Sequence, residues 1–214
     1  KHIPNMIFFG PSGTGKTTSA NILAKASGKT LYKLNATSAG ISDIKEIIAE
    51  TNSFLGSDGI LLYLDEIQYF NKKQQQSLLE FIEDGRITLI ASTTENPYFY
   101  VYPAIISRSA VFEFKPIDVS ELERAVHSAK EYLEKESGRK IEIEPSAVKS
   151  IALSAAGDAR RAINLFENVA NISDGTITPE DIKVFLPEVM GMTGFDKAGD
   201  GHYDLLSALQ KSIR

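Results

Sequence analysis

A glycine-rich loop near the start of the chain constrains the fold more than any other sequence feature. Residues 6–9 are apolar, Gly-Pro-Ser-Gly-Thr-Gly-Lys-Thr occupies positions 10–17, and Ala20, Leu23 and Ala24 then recur at helical spacing. Glycines let backbone N–H groups approach phosphates closely, and the N-terminus of the following helix favours negative charge. The pattern predicts a strand, a phosphate-binding loop and a helix.

The loop predicts a site for ATP and Mg²⁺. Lys16 is placed to reach the outer phosphates, and the hydroxyl of Thr17 to ligate Mg²⁺. The alternative is a simple glycine-rich turn before a helix, which the flanking strand and helix disfavour. The predicted nucleotide-binding residues of the loop are Gly10, Pro11, Ser12, Gly13, Thr14, Gly15, Lys16, Thr17 and Thr18.

Two acidic residues follow a second apolar run. Residues 60–64 lie between Gly59 and Asp65, as expected for a strand that is buried on both faces. Ligands of an open parallel sheet bind beyond the carboxyl ends of its strands. We expect Asp65 to hold Mg²⁺, through water, and Glu66 to orient or polarise the attacking water. Taken alone, the pair also fits two solvated carboxylates at a strand end; the loop at positions 10–17 favours the functional interpretation.

The remaining patterns predict an α/β fold followed by helices. Apolar runs at 6–9, 31–34, 60–64, 87–91 and 111–114 alternate with helical patterns, which indicates a parallel sheet covered by helices. Asn71 is a candidate N-cap. After Pro116, Ser120 and Glu123 predict a capping box that opens a helix to about Ser137. Further helical patterns follow, and only 141–143 suits a strand.

The composition limits which metals, nucleic acids and membranes the chain can contact. The 214 residues carry a net charge of −5 and contain no Cys, so disulfides and Cys-ligated zinc are excluded. A strongly basic nucleic-acid footprint is missing, and any DNA contact must come from local patches, an oligomer or another segment. No apolar run reaches membrane-spanning length. Both ends are predicted to be cut from a longer protein.

Several sequence words occur together in a characteristic order. The most specific are Thr-Thr-Glu-Asn-Pro at 93–97 and Gly-Asp-Ala-Arg-Arg-Ala at 157–162, with Leu-Asn-Ala-Thr at 34–37 and Leu-Asp-Glu-Ile at 64–67. With them the chain resembles the AAA+ superfamily and, more narrowly, the replication-associated recombination protein A (RarA, MgsA) family, related to the Werner-helicase-interacting ATPases. The resemblance covers nearly the whole chain.

The resemblance implies a division of the chain and further site residues. Residues 1–116 would form a P-loop ATPase subdomain with a five-stranded parallel sheet and without its N-terminal part. Residues 117–190 would form an α-helical lid, and 191–214 the start of an oligomerisation region. Thr94 would be a first sensor of the γ-phosphate, and Arg160 a second sensor that reaches from the lid.

The resemblance also implies that Arg108 is an arginine finger delivered to a neighbour's ATP, where charge develops in the transition state. The alternatives from the residues themselves are an ordinary loop hydroxyl for Thr94 and a surface salt bridge for Arg108. We interpret Arg161 as structural or DNA-facing.

The implied function is ATP hydrolysis coupled to remodelling of stalled replication forks or recombination intermediates. The protein would act as a homo-oligomer, either a tetramer or a ring. Its DNA would be single-stranded, an end or a fork, and single-strand-binding protein would be a further partner. The protein would be cytoplasmic and nucleoid-associated, and it would have no membrane partner. A clamp-loader or branch-migration ATPase shares nearly every motif. A slow, nucleotide-dependent platform that recruits repair factors is the alternative from another class.

Two segments depart from the family pattern. Gln68 and Tyr69 stand where the family usually has His-Arg, and residues 98–102 are unusually aromatic. The aromatic segment suits stacking on single-stranded bases or packing at a subunit interface beside Arg108, and we favour the interface.

Overall fold

Five parallel strands form one sheet in the computed structural model, which describes residues 3–54, 59–173 and 175–186. The sheet order is β2-β3-β4-β1-β5. The predicted α/β class and five-stranded parallel sheet are confirmed, and the ends of the strands differ from prediction by one or two residues. The strands are β1 Asn5–Phe9, β2 Thr30–Asn35, β3 Ile60–Asp65, β4 Ile87–Thr93 and β5 Ser109–Glu113.

Strand β3 explains how the sheet is covered. Its residues 60–64 are all buried, and successive side chains enter opposite cores. Leu62 and Leu64 join the larger core, whereas Leu61 and Tyr63 join the core that contains Ala20 of the first helix. The helices of this sheet half are α1 Lys16–Ser27, α2 Ile41–Phe54, α3 Lys72–Glu83, α4 Pro97–Tyr100 and α5 Pro103–Ile106.

A separate core holds four helices together after the sheet. Its fully buried members include Leu122, Ile151 and Phe166. The predicted strand at 141–143 is reduced to a single bridge between Ile143 and Ile177. This helical half consists of α6 Val119–Ser137, α7 Pro145–Ala155, α8 Ala159–Ile172 and α9 Pro179–Phe185.

One of the two predicted N-caps is wrong. Asn71 caps α3 and forms a full capping box with Gln74, as the sequence indicates. Helix α6, however, is capped by Asp118, and Ser120 already lies inside its first turn. Asp118 has extended backbone angles, and its carbonyl accepts the first helical N–H groups, so the helix begins before Ser120 can act as a cap.

Some predictions fall on residues that the structure does not describe. The expected oligomerisation region at 191–214, with its helical pattern, lies outside the described residues. Within the described ranges, no helix combines the length and the apolar character needed to cross a membrane.

Candidate nucleotide-binding site

The candidate site lies where three neighbouring strands end. β3, β4 and β1 are adjacent in the sheet, so the acidic pair after β3, Thr94 after β4 and the loop after β1 come together at one edge. A cavity of about 340 Å³ opens there between the sheet half and α8. Its lining from the sheet half is Ser12, Gly13, Gly15, Lys16, Thr17, Thr18, Asp65 and Glu66.

The glycine-rich loop encloses the lysine side chain. Gly15 precedes α1 with φ 95°, a left-handed conformation that favours glycine. Lys16 is only 8% exposed, and its Nζ donates to the carbonyls of Gly10 at 2.7 Å and Pro11 at 2.8 Å. Burial lowers the pKa of Lys16, while the carboxylates of Glu66 and Asp65 oppose that shift.

Three predicted loop residues do not line the cavity. Gly10 and Pro11 supply the two carbonyls that accept from Lys16, and Thr14 Oγ1 donates to the Pro11 carbonyl at 2.9 Å. These contacts hold the loop's own shape.

A buried tyrosine connects the two predicted Mg²⁺ ligands. The Tyr63 hydroxyl lies 3.0 Å from Thr17 Oγ1 and donates to Asp65 Oδ1 at 3.2 Å. Ser92 donates to the same carboxylate oxygen. A phenol has one proton, and Tyr63 uses it in the hydrogen bond to Asp65. Thr17 must therefore be the donor to Tyr63, and no described residue donates to the Thr17 hydroxyl oxygen. Oxygen donors of this kind fit a hard cation such as Mg²⁺.

The sequence did not single out Tyr63 or Ser92. Tyr63 precedes Asp65 by two residues on one strand, so both face α1, and this spacing was the available signal. Burial raises the pKa of Tyr63 and keeps the phenol protonated.

Glu66 occupies a strained turn beside a glutamine. Its backbone lies in the left-handed region at φ 57° and ψ 48°, which costs about 1–3 kcal/mol for a residue other than glycine. Its Oε2 accepts from Gln68 Nε2 at 2.6 Å and, more weakly, from Thr94 Oγ1 at 3.5 Å. Thr94 is thus beside the acidic pair, and its role as a sensor stays a prediction.

The helical half meets the loop through the N-terminus of α8. Asp158 caps this helix by accepting from the Arg161 N–H at 3.0 Å, and Ser12 Oγ donates to its other oxygen at 2.8 Å. Ala159 N–H donates to the Gly13 carbonyl at 3.1 Å. A Cβ at Gly13 would lie 1.7 Å from Asp158 Oδ1, so this contact requires glycine.

The Asp158 carboxylate is held in its charged form. Burial alone would raise the pKa of Asp158, but the hydrogen bonds from the Arg161 N–H and the Ser12 hydroxyl, together with Arg160, lower it below its ordinary value.

Arg160 lines the cavity, and its guanidinium forms no hydrogen bond or ion pair with any described residue. Four neighbours that the sequence did not single out complete this side of the cavity: Ile117, Ala159, Ile163 and Asn164. Ile163 and Asn164 follow Arg160 by three and four residues, the spacing of one helix face.

Arg108 is not brought to the cavity. It follows α5 and forms an ion pair with Glu83 at 2.7 Å, with both side chains nearly half exposed. Its Nη1 also donates to the Ala104 carbonyl at 3.0 Å and the Ser107 hydroxyl at 3.2 Å. Both interpretations of Arg108, an arginine finger for a neighbour's ATP and a surface salt-bridge residue, are compatible with this position in a single chain.

Two family models match the chain. The model of the ATPase family associated with various cellular activities (AAA) matches residues 6–117, and the model of the AAA C-terminal domain matches residues 137–214. The first match covers more than half of the 214 residues. The chain therefore belongs to the AAA ATPase family.

Within that family, similar curated proteins carry one recurring name. Replication-associated recombination protein A is 39% identical in Haemophilus influenzae and 36% identical in Escherichia coli strain K12, each over 100% of this chain and 49% of the relative. The ATPase WRNIP1 of Dictyostelium discoideum is 35% identical over 99% of this chain and 26% of its own length. The resemblance to the replication-associated recombination protein A family is confirmed, and the chain spans about half the length of the two bacterial relatives.

Solved structures agree on the fold. The RuvB Holliday junction branch migration motor of Thermotoga maritima superimposes with a TM-score of 0.69 at 24% identity, covering 85% of this chain and 60% of that one. At this identity the likeness supports the fold alone.

Proposed function

We propose that this chain binds ATP·Mg²⁺ in the cavity at the sheet edge and hydrolyses it. The observation that carries the proposal is the convergence of Lys16, Thr17, Asp65 and Glu66 on one cavity. A buried lysine, two oxygen donors joined by Tyr63 and a carboxylate beside them are the groups that phosphoryl transfer to water requires.

Each residue of the sheet edge takes a separate part. Lys16 exchanges its bonds to the loop carbonyls for the outer phosphates. Thr17 and Asp65 would hold Mg²⁺, which would supply positive charge beside the phosphate oxygens. Glu66 orients the attacking water and accepts its proton.

The site is completed in this proposal by Thr94 after β4, by the helical half and by the neighbouring subunit. Thr94 and Arg160 sense the γ-phosphate, and Ile117 and Ile163 offer an apolar surface to the base. Arg108 acts on the ATP of the next subunit, where a guanidinium can stabilise charge as it develops. We divide the chain into an ATPase subdomain at 1–116, a lid at 117–190 and an oligomerisation region that begins in 191–214.

We propose that hydrolysis serves the remodelling of stalled replication forks or recombination intermediates, within a tetrameric or ring-shaped homo-oligomer. The relatives' names support this setting. The DNA would be single-stranded, an end or a fork, with single-strand-binding protein as a further partner. The exposed aromatic segment with Tyr98, Phe99 and Tyr100 would pack at the subunit interface near Arg108.

The test is ATP turnover of the full-length protein against single-stranded, blunt and forked DNA. Stimulation by ends or forks supports a DNA-remodelling ATPase. Slow turnover that is indifferent to DNA favours the recruitment platform. Absence of turnover under every condition, with nucleotide binding intact, would contradict the proposed activity.

A further inference from the structure

We propose that Gln68 is a positioning residue that anchors one oxygen of Glu66 and leaves the other for the attacking water. The inference rests on the proposed role of Glu66.

The backbone brings Gln68 back toward Glu66. The left-handed turn at Glu66 is followed by a short 3-10 helix, Ile67–Tyr69, and the Tyr69 N–H donates to the Glu66 carbonyl at 3.0 Å. The Gln68 amide then lies 2.6 Å from Glu66 Oε2, a hydrogen bond to a charged acceptor and therefore a strong one. Thr94 contacts the same oxygen at the longer distance of 3.5 Å.

The two oxygens of Glu66 are consequently different. Oε2 receives both donors, whereas Oε1 receives no hydrogen bond from any described residue, and Glu66 lines the cavity. Glu66 is also the carboxylate with the largest effect on the pKa of Lys16. In this proposal the anchored oxygen restrains the side chain, and the oxygen without a donor is left for the attacking water.

The amide of Gln68 is only half satisfied. Its Oε1 is buried and has no hydrogen-bond partner among the described residues. Rotating the amide by half a turn would put that oxygen against the Glu66 carboxylate, so the observed orientation is the only one that donates to Glu66. A buried unpaired carbonyl and a left-handed glutamate within three residues are both unfavourable, a combination typical of functional sites.

A neighbouring glutamine shows what a purely structural role looks like. Gln75 is fully enclosed, donates to the carbonyls of Phe70 at 2.9 Å and Tyr100 at 3.2 Å, and accepts from the Tyr102 N–H at 2.7 Å. Both ends of its amide are paired. The amide of Gln68 is paired at one end only, and its one hydrogen bond with a described residue goes to Glu66.

The test compares Gln68→Met with Gln68→His in the full-length protein. Methionine matches glutamine in size but cannot donate, so the maximal turnover should fall about tenfold, as expected for loss of a strong hydrogen bond, with ATP affinity unchanged. Histidine keeps an N–H donor and should retain at least half of the turnover. Gln76→Met is the control, because Gln76 is exposed and bonds only to the Tyr102 hydroxyl at 3.3 Å.

Glu66→Gln separates this inference from the proposed function. If Glu66→Gln is inactive and Gln68→Met turns over like the wild type, the role of Gln68 is wrong and that of Glu66 stands. If Glu66→Gln is active, both fail. Weaker ATP binding at unchanged turnover, or an equal loss in Gln68→Met and Gln68→His, also overturns the inference. Adding Gln68→Met to Glu66→Gln should have no further effect, since the two act as one unit.

Discussion

The sheet edge and the two arginines of the candidate site are built in opposite ways. Lys16 and Tyr63 are buried, and their polar atoms are already paired with loop carbonyls, Thr17 and Asp65. The guanidinium of Arg160 has no hydrogen-bond or ion-pair partner among the described residues, and Arg108 has an exposed ion pair. The chain thus preorganises the groups proposed to bind phosphates and metal, whereas both arginines are available to something that arrives.

The largest effect is expected at the preorganised side. Lys16→Ala removes the only ammonium that lines the cavity in the described part of the chain and should abolish detectable nucleotide binding. Titration with a fluorescent ATP analogue measures it. Lys25→Ala, at an exposed position of the same helix, is the control and should bind normally. Unchanged affinity in Lys16→Ala would contradict the proposed loop function.

Arg108→Ala should bind ATP almost normally but hydrolyse it about a thousandfold more slowly, because an arginine finger acts only in the transition state. Glu83→Ala is the matched control. It breaks the same ion pair, which on a surface contributes little, and should leave turnover near the wild-type rate.

Mixing the variants tests whether the finger crosses between subunits. After dissociation and reassembly, a Glu66→Gln subunit can lend its Arg108 to the intact site of an Arg108→Ala neighbour, so partial activity should return. If Arg108→Ala alone is fully active, Arg108 is a surface salt-bridge residue and not an arginine finger. Confirmed reassembly without recovered activity would contradict a shared site.

Tyr63→Phe should raise the Mg²⁺ concentration needed for tight nucleotide binding by about tenfold, the lower end of what second-layer partners of metal ligands contribute. The change removes one oxygen and leaves Thr17 and Asp65 without their common partner. Binding of the fluorescent nucleotide during a Mg²⁺ titration measures the effect. Tyr32→Phe in β2 serves as the control, and the same Mg²⁺ dependence in both variants would exclude the role.

Asp158 gives the smallest expected effect, on the helical side. Asp158→Ala removes the α8 cap and the hydrogen bond from Ser12. We expect turnover to fall three- to tenfold, which corresponds to the loss of about one hydrogen bond. The free energy of unfolding should fall by about 1 kcal/mol because the cap is lost. Asp158→Asn keeps the cap and should lie closer to the wild type. Steady-state turnover and thermal unfolding measure both effects. Wild-type turnover in Asp158→Ala would show that the contact with the loop is dispensable.

The sequence could predict features that depend on one stretch of chain, but not contacts between distant stretches. The loop, the buried strand before Asp65 and the Asn71 cap follow from local spacing, which one stretch of chain contains in full. The Tyr63–Thr17 contact joins residues 46 positions apart, and it depends on how α1 packs against β3. Ser120 failed as a cap because Asp118, two residues earlier, already had the required extended backbone.

We propose that the sheet edge is preformed, whereas the helical half responds to the triphosphate through Arg160. Because the 214 residues contain no Cys, Lys25→Cys and Lys149→Cys on exposed faces of α1 and α7 can carry spin labels. Pulsed electron spin resonance then measures the distance between the halves without nucleotide, with ADP·Mg²⁺ and with a non-hydrolysable ATP analogue. We predict a shorter and narrower distribution only with the ATP analogue, and its loss in Arg160→Ala. The same distribution in all three states would contradict the account.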